Sequence, residues 1–404
     1  MNAPFRILLF LLVPAFLLNE CEKDDFVQIP DDAFLTALIK LGVDLDGDGH
    51  ISYGEAEAVK SLDLTYSNIS DMTGIKEFVR LEKLICSANK LISLDVSDNP
   101  SLKHLDCAVN QITNLNVSNN AALEILWCGL NQLTSLDVSN NTALCELNCD
   151  KNQLTSLDVS NNTALCDLYC NKNQLTSLDV SNNKALNHLG CEENQLTSLD
   201  TNNPALWGLR CNDNLLTTLY ITDNTALVLL DCSNNQLTAL DVSKNTALGT
   251  LECPYNQFTT LDVSKNTALE KFYCRENQLS ALDVSDNAAL DILDCCNNQL
   301  TTLDVSNNTV LRGLRCNNNQ LTDLDVSKDT ALLELHCSGN KLTSLDISNN
   351  IKLGTFVLVE ICLEIKNMPT LEEVCVWTMP FPPEGAEIDT TGSPNVYFTT
   401  ECSK

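Results

Sequence analysis

The chain has 404 residues, and its 24 lysines and arginines stand against 54 aspartates and glutamates, which gives a formal net charge of −30 at pH 7. A polyanion repels phosphate backbones and acidic lipid headgroups, so nucleic acid and electrostatic membrane binding are excluded as expected functions; cations and basic or neutral partners are not. The length ordinarily predicts two or three globular domains. The internal repetition described below predicts instead one elongated domain with small ends.

The N-terminal residues have the pattern of an export signal. One positive charge, at Arg6, precedes an apolar run over residues 7–18 that is too short to span a membrane and is typical of a secretory signal peptide. The run ends in LNEC at residues 18–21, which resembles a bacterial lipobox with Cys21 as the lipid-bearing residue. Glu20 departs from the small residue that this motif has before its cysteine.

The residues after Cys21 extend this resemblance. Residues 22–25 read EKDD, which is similar to the signal that directs certain Gram-negative lipoproteins to the outer face of the outer membrane. The resemblance implies a signal peptide over residues 1–20, a lipid-anchored tether over 21–30 and an outer-membrane lipoprotein exposed on the cell surface, since several acyl chains anchor a protein stably. A plain secretory peptide followed by an acidic spacer is the alternative.

Residues 44–55 read DLDGDGHISYGE and resemble an EF-hand or dockerin-like calcium loop, with Gly49 at the sharp turn. Residues 32–43 and 56–60 are predicted to form flanking helices, which makes residues 31–58 a helix–loop–helix cap. Calcium would be structural here, and the alternative is a loop that keeps its turn without the metal. The ligands implied by the resemblance are Asp44, Asp46, Asp48, His50 through its backbone carbonyl, Ser52 and the bidentate Glu55.

A 21-residue unit repeats through the middle of the chain. Read from Leu144, one copy is LCELNCDKNQLTSLDVSNNTA, of the form LxxLxCxxNxLxxLDVSxNxx. A fixed period of this length predicts a solenoid, in which each unit buries its apolar edge only against its neighbours. Thirteen cysteines, called here the ladder cysteines, hold one slot with a spacing of 21, or 20 in one case: Cys86, Cys107, Cys128, Cys149, Cys170, Cys191, Cys211, Cys232, Cys253, Cys274, Cys295, Cys316 and Cys337.

The unit resembles the leucine-rich repeat LxxLxLxxNxL of internalin-like type, with cysteine in place of the third leucine. The resemblance implies a mainly β solenoid over residues 59–358, with parallel strands around the LxC segment. The alternating Leu-Asp-Val predicts a second short strand on the opposite face. With strands ~4.8 Å apart, thirteen units would span roughly 60 Å.

Three repeated slots have structural interpretations. The asparagine after each ladder cysteine, as in Asn152, is predicted to satisfy backbone groups at a tight bend. The aspartate of LDVS, as in Asp158, forms a solvated row that could also collect cations. The ladder cysteines replace core leucines, so we expect buried, inert thiols rather than disulfides or metal ligands.

Other cysteines lie outside the ladder. Cys145 and Cys166 share a slot in neighbouring units and could lie side by side. Cys362, Cys375 and Cys402 fall in the C-terminal segment, where a bridge between Cys375 and Cys402 is one possible connectivity.

The slot just before each ladder cysteine varies from copy to copy, although its neighbours repeat. On a parallel strand it points outward, and exposed aromatic and arginine side chains are the types that dominate recognition surfaces. Trp127 and Tyr169, two strands and ~10 Å apart, could form one aromatic platform. Tyr273, Arg275 and Arg315 form a second, basic-aromatic cluster in an otherwise acidic molecule. The alternative is neutral variation on an exposed face. The predicted ligand-binding face comprises Trp127, Tyr169, Arg210, Tyr273, Arg275, Arg315 and His336.

Catalysis has little support in the sequence. His50 lies in the calcium loop, and His104, His188 and His336 are separated by four and seven repeats, too far to share a metal or assist one nucleophile. Residues 359–404 lose the repeat and are predicted to form a β-rich cap with strands over 374–377 and 396–400.

We therefore expect a monomeric, non-catalytic surface-displayed binding or adhesion protein that recognises a protein ligand, possibly from a host, on the strand-lined face. One alternative is a carbohydrate-binding accessory of a nutrient-uptake system, with Trp127, Tyr169 and Tyr273 stacking on sugar rings. The other is a structural envelope protein without a specific ligand.

Overall fold

A computed structural model describes residues 26–354, 362–382 and 387–402 of the chain. The predicted signal peptide, the lipobox with Cys21 and the first half of the tether lie outside the described residues. The predicted end of the repeat domain, at residue 358, also falls outside them.

Two short helices precede a long series of short strands. The helices are α1 (Asp32–Lys40) and α2 (Tyr53–Ala58), and a 3₁₀ turn covers Ile75–Glu77. The strands are β1 (Ser61–Asp63), β2 (Lys83–Ile85), β3 (Leu94–Asp95), β4 (His104–Asp106), β5 (Leu115–Asn116), β6 (Ile125–Trp127), β7 (Glu146–Asn148), β8 (Asp167–Tyr169), β9 (His188–Gly190), β10 (Ser198–Asp200), β11 (Gly208–Arg210), β12 (Thr218–Tyr220), β13 (Leu229–Asp231), β14 (Thr250–Glu252), β15 (Lys271–Tyr273), β16 (Ile292–Asp294), β17 (Gly313–Arg315), β18 (Glu334–His336), β19 (Ser344–Asp346), β20 (Leu363–Glu364), β21 (Glu373–Cys375), β22 (Ile388–Asp389) and β23 (Tyr397–Thr399).

The main sheet is parallel and contains one strand from each turn of the coil. Its order is β1-β2-β4-β6-β7-β8-β9-β11-β13-β14-β15-β16-β17-β18-β20-β22. The register is constant, because the central leucines of successive strands pair directly, as in Leu126 with Leu147 and Leu147 with Leu168. The predicted solenoid of leucine-rich repeats is confirmed.

The solenoid continues into the C-terminal segment. Strands β20 and β22 extend the main sheet beyond residue 358. On the second side, β21 pairs in parallel with β19, and β23 pairs in parallel with β21. The predicted β-rich cap is thus made of further turns of the same coil. A disulfide joins Cys375 of β21 to Cys402, with 5.4 Å between the Cα atoms.

The second side of the coil is less regular than the main sheet. Short ladders form there only between β3 and β5, between β10 and β12, and among β19, β21 and β23. In the other described turns the Leu-Asp-Val segment still buries its leucine and valine, as Leu136 and Val138 do, although no strand is formed.

The ladder cysteines line the core as predicted. All thirteen are buried beside the leucines, and burial raises the pKa of the Cys107 thiol to about 12. The thiols are therefore neutral and inaccessible, and none is in a disulfide. They act as small apolar side chains.

A ladder of asparagines, from Asn89 to Asn340, closes the bend after each main strand from β2 to β18. The Asn152 amide donates from Nδ2 to the carbonyl oxygens of Cys149, at 3.1 Å, and of Cys128 in the previous turn, at 3.0 Å. Its Oδ1 accepts from the Leu133 amide at 2.9 Å. The predicted structural role of this slot is confirmed.

A second buried asparagine ladder runs along the opposite bend. Asn308 donates from Nδ2 to the carbonyls of Val284 and Asn287 in the previous turn, at 3.0 and 2.8 Å. This slot holds Asn99, Asn120, Asn141, Asn162, Asn183, Asn203, Asn224, Asn245, Asn266, Asn287, Asn308, Asp329 and Asn350. The sequence analysis did not recognise it.

Asp329 is the exception in this second ladder. Its side chain is fully buried, and neither carboxylate oxygen has a hydrogen-bond partner among the described residues. Burial foremost, and then the charges of Asp325 and Asp304, raise the pKa of Asp329 to about 7, although Lys328 acts to lower it. A protonated carboxyl can donate one hydrogen bond where asparagine donates two.

The aspartates of LDVS have a local role. Asp137 accepts from the Ser139 backbone amide at 2.9 Å, and hydrogen bonds from Ser139 lower the pKa of this exposed carboxyl. The same contact recurs along the coil, for example from Ser160 to Asp158. The row caps its own turns and stays in solvent.

The N-terminal helices attach to the first turn through Asp31. Its side chain caps α1 by accepting from the Phe34 amide at 2.9 Å, and it also accepts from the amides of Ser70 and Asp71. Partial burial acts to raise the pKa of Asp31, but these hydrogen bonds lower it to about 2. Phe34 and Leu38 are buried beneath the helix, which therefore covers the open end of the coil.

Substitution of Asp329 by asparagine should stabilise the fold in a pH-dependent way. The folded pKa, about 7, lies above the ordinary 3.8, so the folded state favours the protonated form, and stability falls as the pH rises between these values. Since one pKa unit corresponds to about 1.4 kcal/mol, Asp329→Asn should gain up to ~4 kcal/mol above pH 7 and much less at pH 4.

Urea unfolding followed by circular dichroism at several pH values measures this difference. Asp137→Asn is the matched control, because that exposed carboxyl has its pKa lowered by Ser139 and should show no such gain. A gain for Asp329→Asn that does not change between pH 4 and pH 8 would contradict the assignment.

Candidate functional site

The main sheet presents four rows of side chains at its outer surface. Each strand buries its central residue and turns its first and last residues outward, as Glu146 and Asn148 do around Leu147. We call these the first row and the last row. The residues just before each strand form the preceding row, and those just after each ladder cysteine form the following row; together the four rows are the strand face.

Trp127, in the last row, is held by neighbours on both sides. Its Nε1 donates to Glu146 Oε1 at 2.9 Å, and its ring lies edge-on to His104 with 5.3 Å between centroids. Tyr169 lies two strands away, beyond Asn148. The two rings that the sequence suggested as one platform are thus placed in separate surroundings.

Tyr169 and Arg210 form part of a recess in the strand face. The recess has a volume of about 300 Å³, and Gly190 and Gly208 lie on adjacent paired strands beneath it. We call it the glycine recess. It is lined by Tyr169, Asn171, His188, Leu189, Gly190, Glu192, Trp207, Gly208, Arg210 and Leu229.

The two glycines keep this recess open. A Cβ at Gly208 would lie 3.0 Å from His188 Cδ2, and one at Gly190 would lie 2.9 Å from Asn171 Oδ1. Larger side chains at these positions would fill the space or displace its lining.

One wall of the glycine recess is a fixed aromatic group. The Trp207 ring packs edge-on against His188 with 4.1 Å between centroids, and His188 Nδ1 lies 2.5 Å from Asp167 Oδ1. Trp207 remains 44% exposed. An apolar, solvent-facing surface is therefore held in one orientation by a hydrogen-bonded support.

The polar groups of the glycine recess are incompletely paired. Glu192 Oε2 is buried and has no hydrogen-bond partner among the described residues. Burial raises the pKa of both Glu192 and nearby Asp150. The Arg210 side chain is exposed and forms no ion pair within the described part of the chain, so it is free to contact a ligand.

The second predicted cluster is neutralised by carboxylates. Arg315 forms a bidentate pair with Glu334, at 2.5 and 3.0 Å, and Arg275 lies 3.6 Å from Asp294. His336 lies 3.3 Å from the same glutamate. The basic-aromatic cluster expected from the sequence is thus a network of ion pairs.

A smaller recess lies beside this network. Its volume is about 240 Å³, and it is lined by Tyr273, Asp291, Ile292, Arg312, Gly313, Arg315, Leu333 and Glu334. Both recesses thus combine a tyrosine, an arginine and a glycine. They differ in that the second recess has two arginines, Arg312 and Arg315, and both are already paired with carboxylates.

Trp207, His188 and Glu192 belong to the strand face but were not predicted from the sequence. The prediction drew on the last row, with Arg275 from the following row, whereas these three residues belong to the preceding, first and following rows. One feature of the sequence could have identified Trp207, because it is the only tryptophan in the preceding row. Whether that row faces outward, however, depends on where each strand begins, and the sequence does not give these starting points.

The calcium-loop sequence forms a compact turn between α1 and α2. Carboxylate oxygens of Asp44, Asp46 and Asp48 lie within 4.8 Å of one another. Glu55 instead accepts from the Leu45 amide at 2.6 Å and, through its other oxygen, from Ser52 as part of the α2 capping box. α1 ends three residues before the predicted boundary and α2 begins three residues before its own.

The loop is braced by the chain segment before α1. The Val27 amide donates to the Ile51 carbonyl at 2.7 Å, and Phe26 forms an antiparallel bridge with Ser52. Val27 and Ile51 are both buried. Three hard carboxylate ligands in a braced turn fit the chemistry of calcium.

No family model matches the chain, but solved structures do. The functional domain of InlJ from Listeria monocytogenes, which includes a cysteine ladder, is 36% identical, with a TM-score of 0.71 over 87% of this chain and 81% of that one. A leucine-rich-repeat protein of Leptospira interrogans is 22% identical, with a TM-score of 0.66 over 83% of this chain and 97% of that one. The internalin InlF of Listeria monocytogenes is 23% identical, with a TM-score of 0.63 over 80% and 94%.

A comparison with whole proteins gives a shorter match. Internalin J of Listeria monocytogenes is 41% identical over 70 residues, which are 17% of this chain and 8% of that protein. The match therefore covers a small part of that protein's length. In the described part of this chain, no helix combines the length and the apolar character needed to cross a membrane.

Proposed function

The chain belongs to the internalin-like leucine-rich-repeat family, and from that membership we propose that it is a non-catalytic protein, displayed at the cell surface, that binds a protein ligand through its strand face. The observation that carries this proposal is the glycine recess. It combines a fixed aromatic wall, a free guanidinium and open space on a rigid sheet.

These features are those of an energetic centre in a protein interface. Tryptophan, tyrosine and arginine carry most of the binding energy in such interfaces, particularly where a pocket allows their surroundings to be desolvated. Tyr169, Trp207 and Arg210 all line the same recess. A sheet of sixteen strands extends roughly 70 Å, enough for an interface of standard size around the recess.

The charge of the molecule indicates the kind of protein ligand. With a net charge of −30 the field around the chain attracts partners with a basic contact surface and repels acidic ones. Around the glycine recess, Glu192 and Asp150 lack compensating partners strong enough to offset their burial, so the pKa of each carboxyl is raised. A cationic group on the ligand would relieve this cost.

Surface display would follow from the N-terminal export signal and the lipobox at Cys21. Several acyl chains on that cysteine would hold the protein in the outer membrane without a spanning segment. The residues before Phe26 would then separate the membrane from the cap, because Phe26 and Val27 already pair with the turn between α1 and α2.

A carbohydrate ligand is the second candidate. The observation that favours it is the position of Tyr169 and Trp207 in one recess with the planar polar side chain of Asn171. Flat aromatic surfaces beside hydrogen-bonding groups also suit a sugar ring. This candidate uses the same site and is separated from the first by the chemical class of the ligand.

We also propose that the turn between α1 and α2 binds calcium. Asp44, Asp46 and Asp48 would supply carboxylate oxygens, and the resemblance to EF-hand loops adds the His50 carbonyl, Ser52 and Glu55. The ion would offset the mutual repulsion of three carboxylates that lie within 4.8 Å. Because the turn lies in the N-terminal cap, calcium would stabilise the end of the coil.

Filling the glycine recess should weaken ligand binding. Gly208→Val places a branched side chain where Trp207 and Arg210 face the ligand, and we expect at least a tenfold loss of affinity, or about 1.4 kcal/mol. Gly249→Val is the matched control, since a Cβ there meets its neighbours only at 3.8–3.9 Å. Surface plasmon resonance with a ligand found on panels of extracellular proteins and glycans provides the measurement.

The class of the first binder decides between the two candidate functions. If a glycan binds the parent chain and this binding is lost in Gly208→Val, the result supports the carbohydrate candidate and contradicts a protein ligand. Binding that persists unchanged in both Gly208→Val and the double variant Trp127→Ala, Tyr169→Ala would contradict the strand face as the site.

Calcium should bind with a measurable heat and raise the stability of the chain. At a concentration one hundred times the dissociation constant, a ligand of the folded state adds about 2.7 kcal/mol. In Asp48→Asn, the side-chain oxygen can still accept from the His50 amide, as Asp48 does at 2.8 Å, but one charged calcium ligand is removed. We therefore expect this variant to show no heat of calcium binding. Asp98→Asn, outside the loop, is the control. Absence of heat at millimolar calcium with the parent chain would refute the site.

A further inference from the structure

Two cysteines of the preceding row lie directly beside each other on adjacent strands. Cys145 precedes β7 and Cys166 precedes β8, and the first residues of these strands pair in register. The Cys166 amide donates to the Cys145 carbonyl at 2.7 Å, and the two Sγ atoms are 2.7 Å apart. The backbone of the coil, and not a flexible loop, therefore holds the two sulfur atoms together.

The exposure of this pair separates it from the other free cysteines of the described residues. Cys145 and Cys166 are half-buried, whereas the thirteen ladder cysteines, Cys296 and Cys362 are buried. A thiol reagent or an oxidant in solution can thus reach the pair while the core stays closed. Chemistry at these two sulfurs would not require unfolding.

The distance between strands suits a covalent bond. Adjacent strands lie ~4.8 Å apart, which falls within the range of about 4.4–6.8 Å between the Cα atoms of a disulfide. The side chains already point to the same surface, so neither strand has to move to another register. The neighbouring slots of the preceding row hold Glu124 and Asn187, which leaves the two cysteines as each other's sulfur partners.

We propose that Cys145 and Cys166 are a disulfide-forming site that links two successive turns of the coil when the chain meets a disulfide oxidant. In the first step a thiolate of the pair attacks one sulfur of the oxidant's disulfide, which forms a mixed disulfide and releases one thiolate. In the second step the other cysteine attacks its partner's sulfur and releases the second thiolate.

The reaction balances between the two disulfides. The pair loses two S–H bonds and gains one S–S bond, and the oxidant is reduced to two thiols that take up both protons. A thiol–disulfide oxidoreductase or a small-molecule disulfide can serve as the oxidant. An exported protein meets such oxidants, since disulfides form in oxidising compartments.

The position of the bond gives it a structural consequence. Cys166 immediately precedes β8, whose last residue is Tyr169 of the glycine recess. The next slots of the preceding row are Asn187 and then Trp207, which forms the aromatic wall. The bond would fix the spacing of the two turns at one edge of the recess without occupying the recess itself.

The pair should also have a recognisable pH dependence. Its mutual hydrogen bond, followed by partial burial, raises the pKa of Cys166 to about 11. Because the thiolate is the attacking species, attack by Cys166 should become faster as the pH rises from 7 to 9.

The test is oxidation of the full folded chain in a buffer of reduced and oxidised glutathione. Native alkylation with iodoacetamide follows, and then digestion and mass spectrometry. We expect a linked peptide pair joining Cys145 to Cys166, while the ladder cysteines are alkylated only after denaturation. Reduction before alkylation should convert the linked pair into two alkylated cysteines.

The single variants Cys145→Ser and Cys166→Ser provide the matched control. Each should retain one reactive cysteine, which would carry glutathione or alkyl label instead of a bond within the chain. Circular dichroism of each variant checks that the coil is intact.

Several results would overturn the proposal. They are free thiols at both positions under oxidising conditions, glutathione on both cysteines without a link, or a link that appears only in the denatured chain. None of these results bears on whether the strand face binds a ligand, which the Gly208→Val comparison tests separately.

Discussion

The structure depends on how each turn of the coil satisfies the backbone groups at its bends. A solenoid of this kind has no helix to absorb those donors and acceptors, and a buried amide or carbonyl without a partner costs about 1–3 kcal/mol. One asparagine amide solves the problem at each bend after a main strand, since it donates to two carbonyls in two turns and accepts from an amide in the earlier one. The same side chain that closes one turn therefore attaches it to the next.

This constraint also explains an unusual backbone feature. The residue before each of these asparagines has a positive φ, as in Val109 at 56° and Lys151 at 53°, although such values are unfavourable for residues other than glycine. The hydrogen bonds of the ladder hold the bend in this conformation, so the identity of the residue there can vary. Only at Gly339 does the chain use the residue that adopts it without cost.

Prediction from sequence succeeded where the repeat itself carries the information. The 21-residue period and the positions of the cysteines and leucines within it determine which side chains face inward. The prediction is reliable because the same residue types recur at the same positions in thirteen repeats. The second asparagine ladder is equally periodic, and it was missed because an Asn-Asn pair next to a turn is also typical of an exposed loop. The continuation of the sheets into β20–β23 was not predicted for another reason. Those turns keep the shape of the coil, although their sequences no longer match the 21-residue consensus.

The binding face was harder to predict because contacts between turns decide which side chains are free. Arg315 and Arg210 occupy equivalent slots, yet Glu334 neutralises the first while the second has no such neighbour. Trp127 and Trp207 are likewise both aromatic, and only the structure distinguishes a ring bonded to Glu146 from one that lines a recess. The residue at one position of a repeat does not show whether its side chain is free to bind a ligand. The residues at adjacent positions in successive turns do show it, because they decide which side chains are paired.

The turn that contains the glycine recess departs from the 21-residue period of the turns around it. The spacing of 20 residues between Cys191 and Cys211 removes one residue from the second side, where Thr201 stands in the core position that valine fills in most turns. Thr201 Oγ1 donates to Asn224 Oδ1 at 2.6 Å, so the threonine hydroxyl is satisfied within the core.

On the main sheet, the same turn carries Gly208 and the exposed Trp207. A coil selected only for stability would keep its consensus at both sides. A turn that departs from it at the back while it opens a recess at the front is where a requirement other than folding has acted.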